Sequence, residues 1–141
     1  MLKFYWVLSL IFTGLIFYNS SLPASASDEM SYFFVKLVAE INAFLDKPVS
    51  LQMMNHIIRK TAHFLEYFIQ ALLLCKAFRV TRIESKASHG YILLFSLMTA
   101  MFDEYIQLFS PGRSGQVTDI MLDFSGGFTG WLSYQLWKWI E

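Results

Sequence analysis

Three features of this chain predict an all-α membrane protein, with four transmembrane helices and one amphipathic surface helix between the first and second spans. The first is composition, since 55% of the 141 residues are hydrophobic and only 16% are charged, against about 25% charged in soluble domains. The second is an aromatic excess of 14 Phe, 7 Tyr and 4 Trp. The third is a set of four apolar runs, each near the ~20 residues that crossing the hydrocarbon requires. The length fits one domain, 1–141. The net charge is zero and no basic tract occurs, so nothing in the chain points to nucleic acid as a partner. Cys75 is the only cysteine and lies in an apolar run; it can form no intrachain disulfide and reads as a small buried hydrophobe.

The first span, about 4–22, begins after Lys3 and is apolar from Phe4 to Tyr18, with Asn19, Ser20 and Ser21 at its far end. Ala24-Ser25-Ala26 then imitates a signal-peptidase site. Pro23 just before it, and three further spans after it, favour a retained helix over a cleaved signal. Between Asp28 and Lys47, Phe33, Phe34, Leu37, Val38, Ile41, Phe44 and Leu45 recur at helical spacing with Lys36, Glu40 and Asp46 among them. That segment is too short and too polar to span, and predicts a surface helix over about 30–46. Pro48 ends it.

The second span, about 55–77, carries Arg59, His63, Glu66 and Gln70 on one face at steps of four, three and four, opposite Phe64, Leu65, Phe68 and Leu72. The polar stripe must face protein, because charge is costly against lipid. The third span, about 90–109, is apolar until Asp103-Glu104, and Ser110-Pro111-Gly112 then predicts a tight turn. The fourth, about 117–140, places Asp119 and Asp123 on one face, followed by Gly126-x-x-x-Gly130, a spacing that lets helix backbones approach closely. Trp131, Tyr134, Trp137 and Trp139 with Lys138 suggest an interfacial belt.

Counting bases on the two sides does not orient the spans, but density does. Lys76, Arg79, Arg82 and Lys86 fall together around the connection between spans two and three, which marks that connection as cytoplasmic and puts both termini inside. The start of span two, the end of span three and the start of span four then lie on the outer side. At 1.5 Å per residue, Glu66 sits ~10 Å below Arg59, Asp103 ~10 Å below Ser110 and Asp123 ~9 Å below Val117. Three helices thus bring ionisable groups to one depth, which predicts a polar pocket open to the outside. Its expected ligand-binding set is Arg59, Lys60, His63, Glu66, Asp103, Glu104, Gln107, Arg113, Asp119 and Asp123.

Each of these has a plainer reading. His63 and Glu66 serve equally as interhelical hydrogen-bonding partners, typically ~0.6 kcal/mol per bond in membrane proteins. Asp119 suits a helix N-terminus, where the dipole favours an anion. Arg113 is either a solvated loop charge or the counter-ion of Asp103, Glu104 or Asp119, and the turn favours the second. Five acids exceed what packing alone asks for, since Ser, Thr or Asn would serve at lower cost. His63, Glu66 and Asp103 have ligand chemistry for zinc or manganese, but the chain lacks H-E-x-x-H and has one histidine in the pocket, so neither metal nor cofactor is expected. Paired carboxylates permit acid–base catalysis, yet no spacing identifies a nucleophile, and no catalytic residue is assigned.

At these residues the sequence resembles the VanZ-like family of small bacterial membrane proteins. The resemblance rests on Asn19-Ser20-Ser21, on Arg59-Lys60-x-x-His63-Phe64-x-Glu66-Tyr67, on Asp103-Glu104-x-x-Gln107-x-Phe109-x-Pro111-Gly112-Arg113, and on Asp119-x-x-x-Asp123-x-x-Gly126. It covers nearly the whole chain in order. It implies a multi-pass protein of the bacterial plasma membrane, with a role in the cell envelope. The family takes its name from a protein associated with low-level resistance to teicoplanin, a lipidated glycopeptide that acts on wall precursors outside the membrane. The partners so implied are membrane lipids and a lipid-linked wall precursor or a lipoglycopeptide. An enzyme modifying an outer-leaflet lipid through His63, Glu66, Asp103 and Glu104 is the alternative, and analysis of outer-leaflet lipids with and without the protein would separate the two.

Overall fold

The computed structural model describes residues 3–44, 50–83 and 86–140, and the described residues are helical with no strand. The helices are α1 (Phe4–Ser21), α2 (Ala24–Phe44), α3 (Leu51–Val80), α4 (Lys86–Gln107) and α5 (Val117–Ile140). Helix α5 packs most extensively against α3, then against α4, while α1 packs on α3 and α4, and α2 on α3.

The elements follow the expected order with shifted ends. Helix α2 starts at Ala24 rather than near residue 30, directly after Pro23, so the Ala-Ser-Ala look-alike forms its first turn. The expected end of that helix at residues 45–46, and the break at Pro48, lie outside the described residues. Helix α3 begins four residues early because Ser50 caps it, its Oγ accepting from the Met53 N–H at 3.2 Å. Its far end closes without glycine. Arg82 adopts φ +57°, its N–H donates to Arg79 O at 3.1 Å, and the Ile83 N–H reaches back to Phe78 O at 3.2 Å. This is a Schellman closure with arginine in the left-handed position, at a cost of ~1 kcal/mol.

Burial is partly inverted relative to a protein folded in water, with polar groups in the core beside Tyr67, Ala71, Leu74 and Ile92. The centre holds Gln70, Ser96, Thr99, Asp103 and Asp123, whereas Leu94, Met98, Met101, Phe102 and Tyr105 of α4 face outward. Helix α1 does the same, burying Ser9, Thr13, Ile16 and Ser20 and exposing Phe4, Val7, Leu10, Ile11 and Leu15. Its buried Thr13 accepts a hydrogen bond from Gln70 Nε2 at 2.9 Å. Helix α2 buries Ser31 and Val35 and leaves Tyr32, Phe33, Phe34, Leu37 and Val38 exposed. By length and composition alone, α1 is the one helix among the described residues that is apolar enough to cross a membrane.

The aromatic end of α5 is less of a belt than its sequence suggests. Trp139 is exposed, but Tyr134 is buried, and the Trp131 indole donates to His89 Nδ1 at 3.2 Å. Trp137 carries the Lys76 ammonium 4.3 Å above its ring, so α3 and α5 meet there through a cation–π contact.

The glycines of α5 set the closest approach in the molecule. A Cβ at Gly126 would stand 2.3 Å from Phe64 O, one at Gly130 2.4 Å from Phe68 O, and one at Gly127 2.9 Å from Ser96 Cβ. Two successive turns of α5 thus lie on the bare backbone of α3. Gly126→Ala or Gly130→Ala must push the helices apart, and overpacking of this kind costs ~1–3 kcal/mol. Both variants should melt below the parent in detergent. Gly14→Ala, which meets nothing within 4 Å, should melt at or above it, since alanine favours a helix by ~0.5–1 kcal/mol. Equal melting temperatures for all three would contradict this packing.

Candidate functional site

The ten residues expected to form a polar set converge at one end of the bundle. Arg59, Lys60, His63 and Glu66 come from α3, Asp103, Glu104 and Gln107 from the last turns of α4, Arg113 from the following turn, and Asp119 and Asp123 from the start of α5. All but Glu66 and Asp103 line a polar cleft of about 160 Å³. A second cleft of about 190 Å³ lies on the α1–α2 side of α3, where Leu22, Phe34, Ile58 and Ala62 give it an apolar wall and Glu66 a polar one. Arg59, His63 and Arg113 line both.

At the centre is His63. Its Nδ1 stands 3.8 Å from Glu66 Oε2, 3.9 Å from Asp103 Oδ2 and 4.0 Å from Asp123 Oδ1. The two aspartates are essentially sealed from solvent, and no hydrogen bond reaches Asp103 Oδ1 or either oxygen of Asp123. Asp103 Oδ2 accepts from Gln107 Nε2 at 3.1 Å, and that same amide donates to Glu104 Oε1 at 2.9 Å. Deeper in the bundle, Gln70 leaves the polar stripe to bond Thr13 and Thr99. It belongs to the packing between α1, α3 and α4.

Glu104 has a clear structural task. Its Oε2 accepts the Gln116 N–H at 2.7 Å, and Gln116 O begins the hydrogen bonding of α5. The acid thereby ties the end of α4 to the start of α5. Gly115 is needed beside it, because a Cβ there would sit 2.8 Å from Glu104 O. Asp119 pairs with Lys60, and Arg59 reaches Asp28 of α2 at 3.6 Å.

Arg113 differs from the expectation. Among the described residues it makes no ion pair with Asp103, Glu104 or Asp119; its Nη2 donates instead to Asn19 O at 3.1 Å. The cause lies at the end of α1, whose last carbonyls need donors. Ser21 Oγ bonds Tyr18 O at 2.7 Å, Ser110 Oγ bonds Ser20 O at 2.8 Å, and Arg113 takes Asn19 O. The Arg113 N–H closes the Ser110–Arg113 turn on Ser110 O at 3.1 Å, with the Ala24 N–H on Pro111 O at 3.0 Å. Gly112 has φ +75°, the value that the third residue of a type II turn demands. Burial, reinforced by the nearby Arg59 guanidinium, pulls the Arg113 pKa below its ordinary value.

The residue that sequence reasoning left out of the set is Asn19. Its Nδ2 donates to Glu66 Oε1 at 3.0 Å and it lines the second cleft, so α1 contributes a fourth wall. The Asn-Ser-Ser run was visible, but nothing local said that its asparagine faces α3. Tyr67, one turn below His63, is fully buried with no partner for its hydroxyl.

These residues and their order bear directly on ancestry. No curated protein and no solved structure matches the chain. A family model does: the one described as VanZ/LLP1 matches residues 4–138. That span holds all five helices almost entirely and every residue of the polar set, and the chain belongs to the VanZ/LLP1 family.

Proposed function

We propose that this VanZ/LLP1 protein crosses the membrane with α1, α3, α4 and α5, rests α2 on its surface, and binds an anionic lipid-linked component of the cell envelope in its paired clefts. The inverted burial supports the first part. Hydrocarbon solvates Leu94, Met98 and Phe102 and tolerates no unpaired charge, so the acids and amides go inside. The bases Lys76, Arg79, Arg82 and Lys86 favour a cytoplasmic α3–α4 connection, which turns the clefts outward.

One observation carries the ligand reading: Arg59, His63 and Arg113 line both a polar cleft and an apolar one. An amphiphile with a phosphate-bearing head has that chemistry. Its head meets the guanidinium groups and Lys60, which suit phosphate oxygens, while its chain runs along Leu22, Phe34, Ile58 and Ala62 toward lipid. A lipoglycopeptide such as teicoplanin is also part polar and part acyl chain, and binds in the same sense or not at all. The second reading, an enzyme acting on such a lipid, is favoured by His63 standing within 4.0 Å of three carboxylates. Analysis of outer-leaflet lipids with and without the protein separates turnover from binding.

Two measurements test the proposal. In a Cys75→Ser background, cysteines at Ala87 and Ser114 should label from opposite sides with an impermeant thiol reagent, Ser114→Cys from outside. External labelling of Ala87→Cys would invert the orientation. For the ligand, the protein in nanodiscs should bind a polyprenyl diphosphate lipid, with teicoplanin as a parallel arm. Arg59→Gln should weaken binding about tenfold, or about 1.4 kcal/mol, because Arg59 faces both clefts and its partner Asp28 is half exposed. An affinity for both probes that Arg59→Gln leaves untouched would refute the reading.

A further inference from the structure

His63, Asp103 and Asp123 approach one another from three different helices, and among the described residues no lysine or arginine pairs with either aspartate. We propose that they form a binding site for a divalent first-row cation, zinc or manganese, at the floor of the polar cleft. The sequence offers ligand types in His63, Glu66 and Asp103 but no metal-binding motif. One ligand atom from each residue lies within 4.8 Å of the other two, and His63 Nδ1 is 3.9 Å from Asp103 Oδ2 and 4.0 Å from Asp123 Oδ1. Donors sharing an ion at ~2.0–2.2 Å stand roughly 3–4.4 Å apart.

A second observation is independent of the clustering. Asp123 is 1% exposed and Asp103 0%, yet both oxygens of Asp123, Asp103 Oδ1 and His63 Nδ1 have no hydrogen-bond partner, and neither has the sealed Tyr67 hydroxyl. Buried polar atoms are otherwise paired in folded proteins, and buried carboxylates without counter-charge are costly. Arg59 pairs with Asp28 and Lys60 with Asp119, while Arg113 donates to Asn19 O and, among the described residues, stands in no ion pair with Asp103 or Asp123. A divalent ion supplies positive charge and engages the unpartnered His63 Nδ1 and Asp123 Oδ1, with Asp103 Oδ2 as the third donor. One nitrogen and two carboxylate oxygens suit zinc or manganese better than calcium, which takes oxygen ligands alone and more of them.

The neighbouring groups fit outer roles around such an ion. Gln107 holds Asp103 Oδ2 at 3.1 Å, and Asn19 holds Glu66 at 3.0 Å, just beyond the trio. Hydrogen bonds of this kind orient ligands. Three protein donors leave coordination positions open, and because His63 and Asp123 line the polar cleft, those positions face it. Water or an anionic oxygen would complete the shell.

The test needs no lipid, so its outcome is separate from that of the ligand reading. The full chain in detergent is stripped with chelator, desalted and titrated with Zn²⁺, and in parallel with Mn²⁺ followed by its paramagnetic signal. One ion should bind per chain. Asp123→Asn and His63→Gln should each weaken it at least about tenfold, while Glu29→Gln, on the exposed side of α2, should bind as the parent does. A parent that binds neither ion overturns the proposal whether or not the variants fold. So does stoichiometric binding that both site variants retain unchanged.

Discussion

The contact on which the rest depends is the one between the backbones of α3 and α5. Gly126 lies on the carbonyl of Phe64 and Gly130 on that of Phe68, so the two helices touch without side chains between them and cannot slide relative to each other. Register follows at once. His63 precedes Phe64 by one residue and Asp123 precedes Gly126 by three, and the histidine and the aspartate therefore meet at 4.0 Å. A larger residue at either glycine would push the two helices apart and widen that gap. Helix α4 is then set against the same pair through Gly127 and Ser96, which delivers Asp103 from the third side. The polar centre is a consequence of small residues that carry no chemistry of their own.

A second constraint comes from the end of α1. Its terminal carbonyls need donors, and the turn after α4 supplies them through Ser110 and Arg113. Satisfying the backbone in this way fixes where Asn19 sits, and Asn19 in turn holds Glu66. Arg113 is thus a capping group first and a cleft-lining cation second. Asn19 O accepts both the Leu22 N–H at 3.3 Å and the half-buried Arg113 guanidinium at 3.1 Å, so the arginine adds a second donor to that carbonyl. Stability and the shape of both clefts draw on the same few hydrogen bonds.

Much of the site was legible from spacing, and the reason is helical geometry. Steps of three and four put Arg59, His63 and Glu66 on one face, and counting residues from each helix end put Asp103 and Asp123 at the same depth. The glycine spacing announced the close contact. What could not be read is whatever depends on a partner distant in sequence. Asn19 faces Glu66 across 47 residues. Arg113 chose a carbonyl over an acid because of how α1 ends, not because of its own neighbours. Helix α2 began early because Pro23 suits a first turn and the 110–112 turn meets its Ala24 N–H, while Arg82 took a conformation that glycine would have announced. The aromatic pattern at the end of α5 hides two further contacts: Trp131 donates to His89, and the Lys76 ammonium lies over the Tyr134 ring.

The acids pose the sharpest energetic question. Helix packing in this chain is already supplied by glycine contacts, by Gln70 with Thr13 and Thr99, and by the Glu104 link to α5. Removing Asp123 from that account would cost no hydrogen bond, because it makes none. A sealed carboxylate that contributes nothing to packing is a net expense of several kcal/mol unless something from outside the chain meets it. A single proton would neutralise one carboxylate and leave the other charge of the pair in place. An ion engages the histidine and both aspartates in one step, and its open side looks into the cleft that Arg59 and Arg113 border. The same arrangement that makes the fold costly when empty makes it selective when filled, since few ligands can offer positive charge at the floor and accept it at the rim.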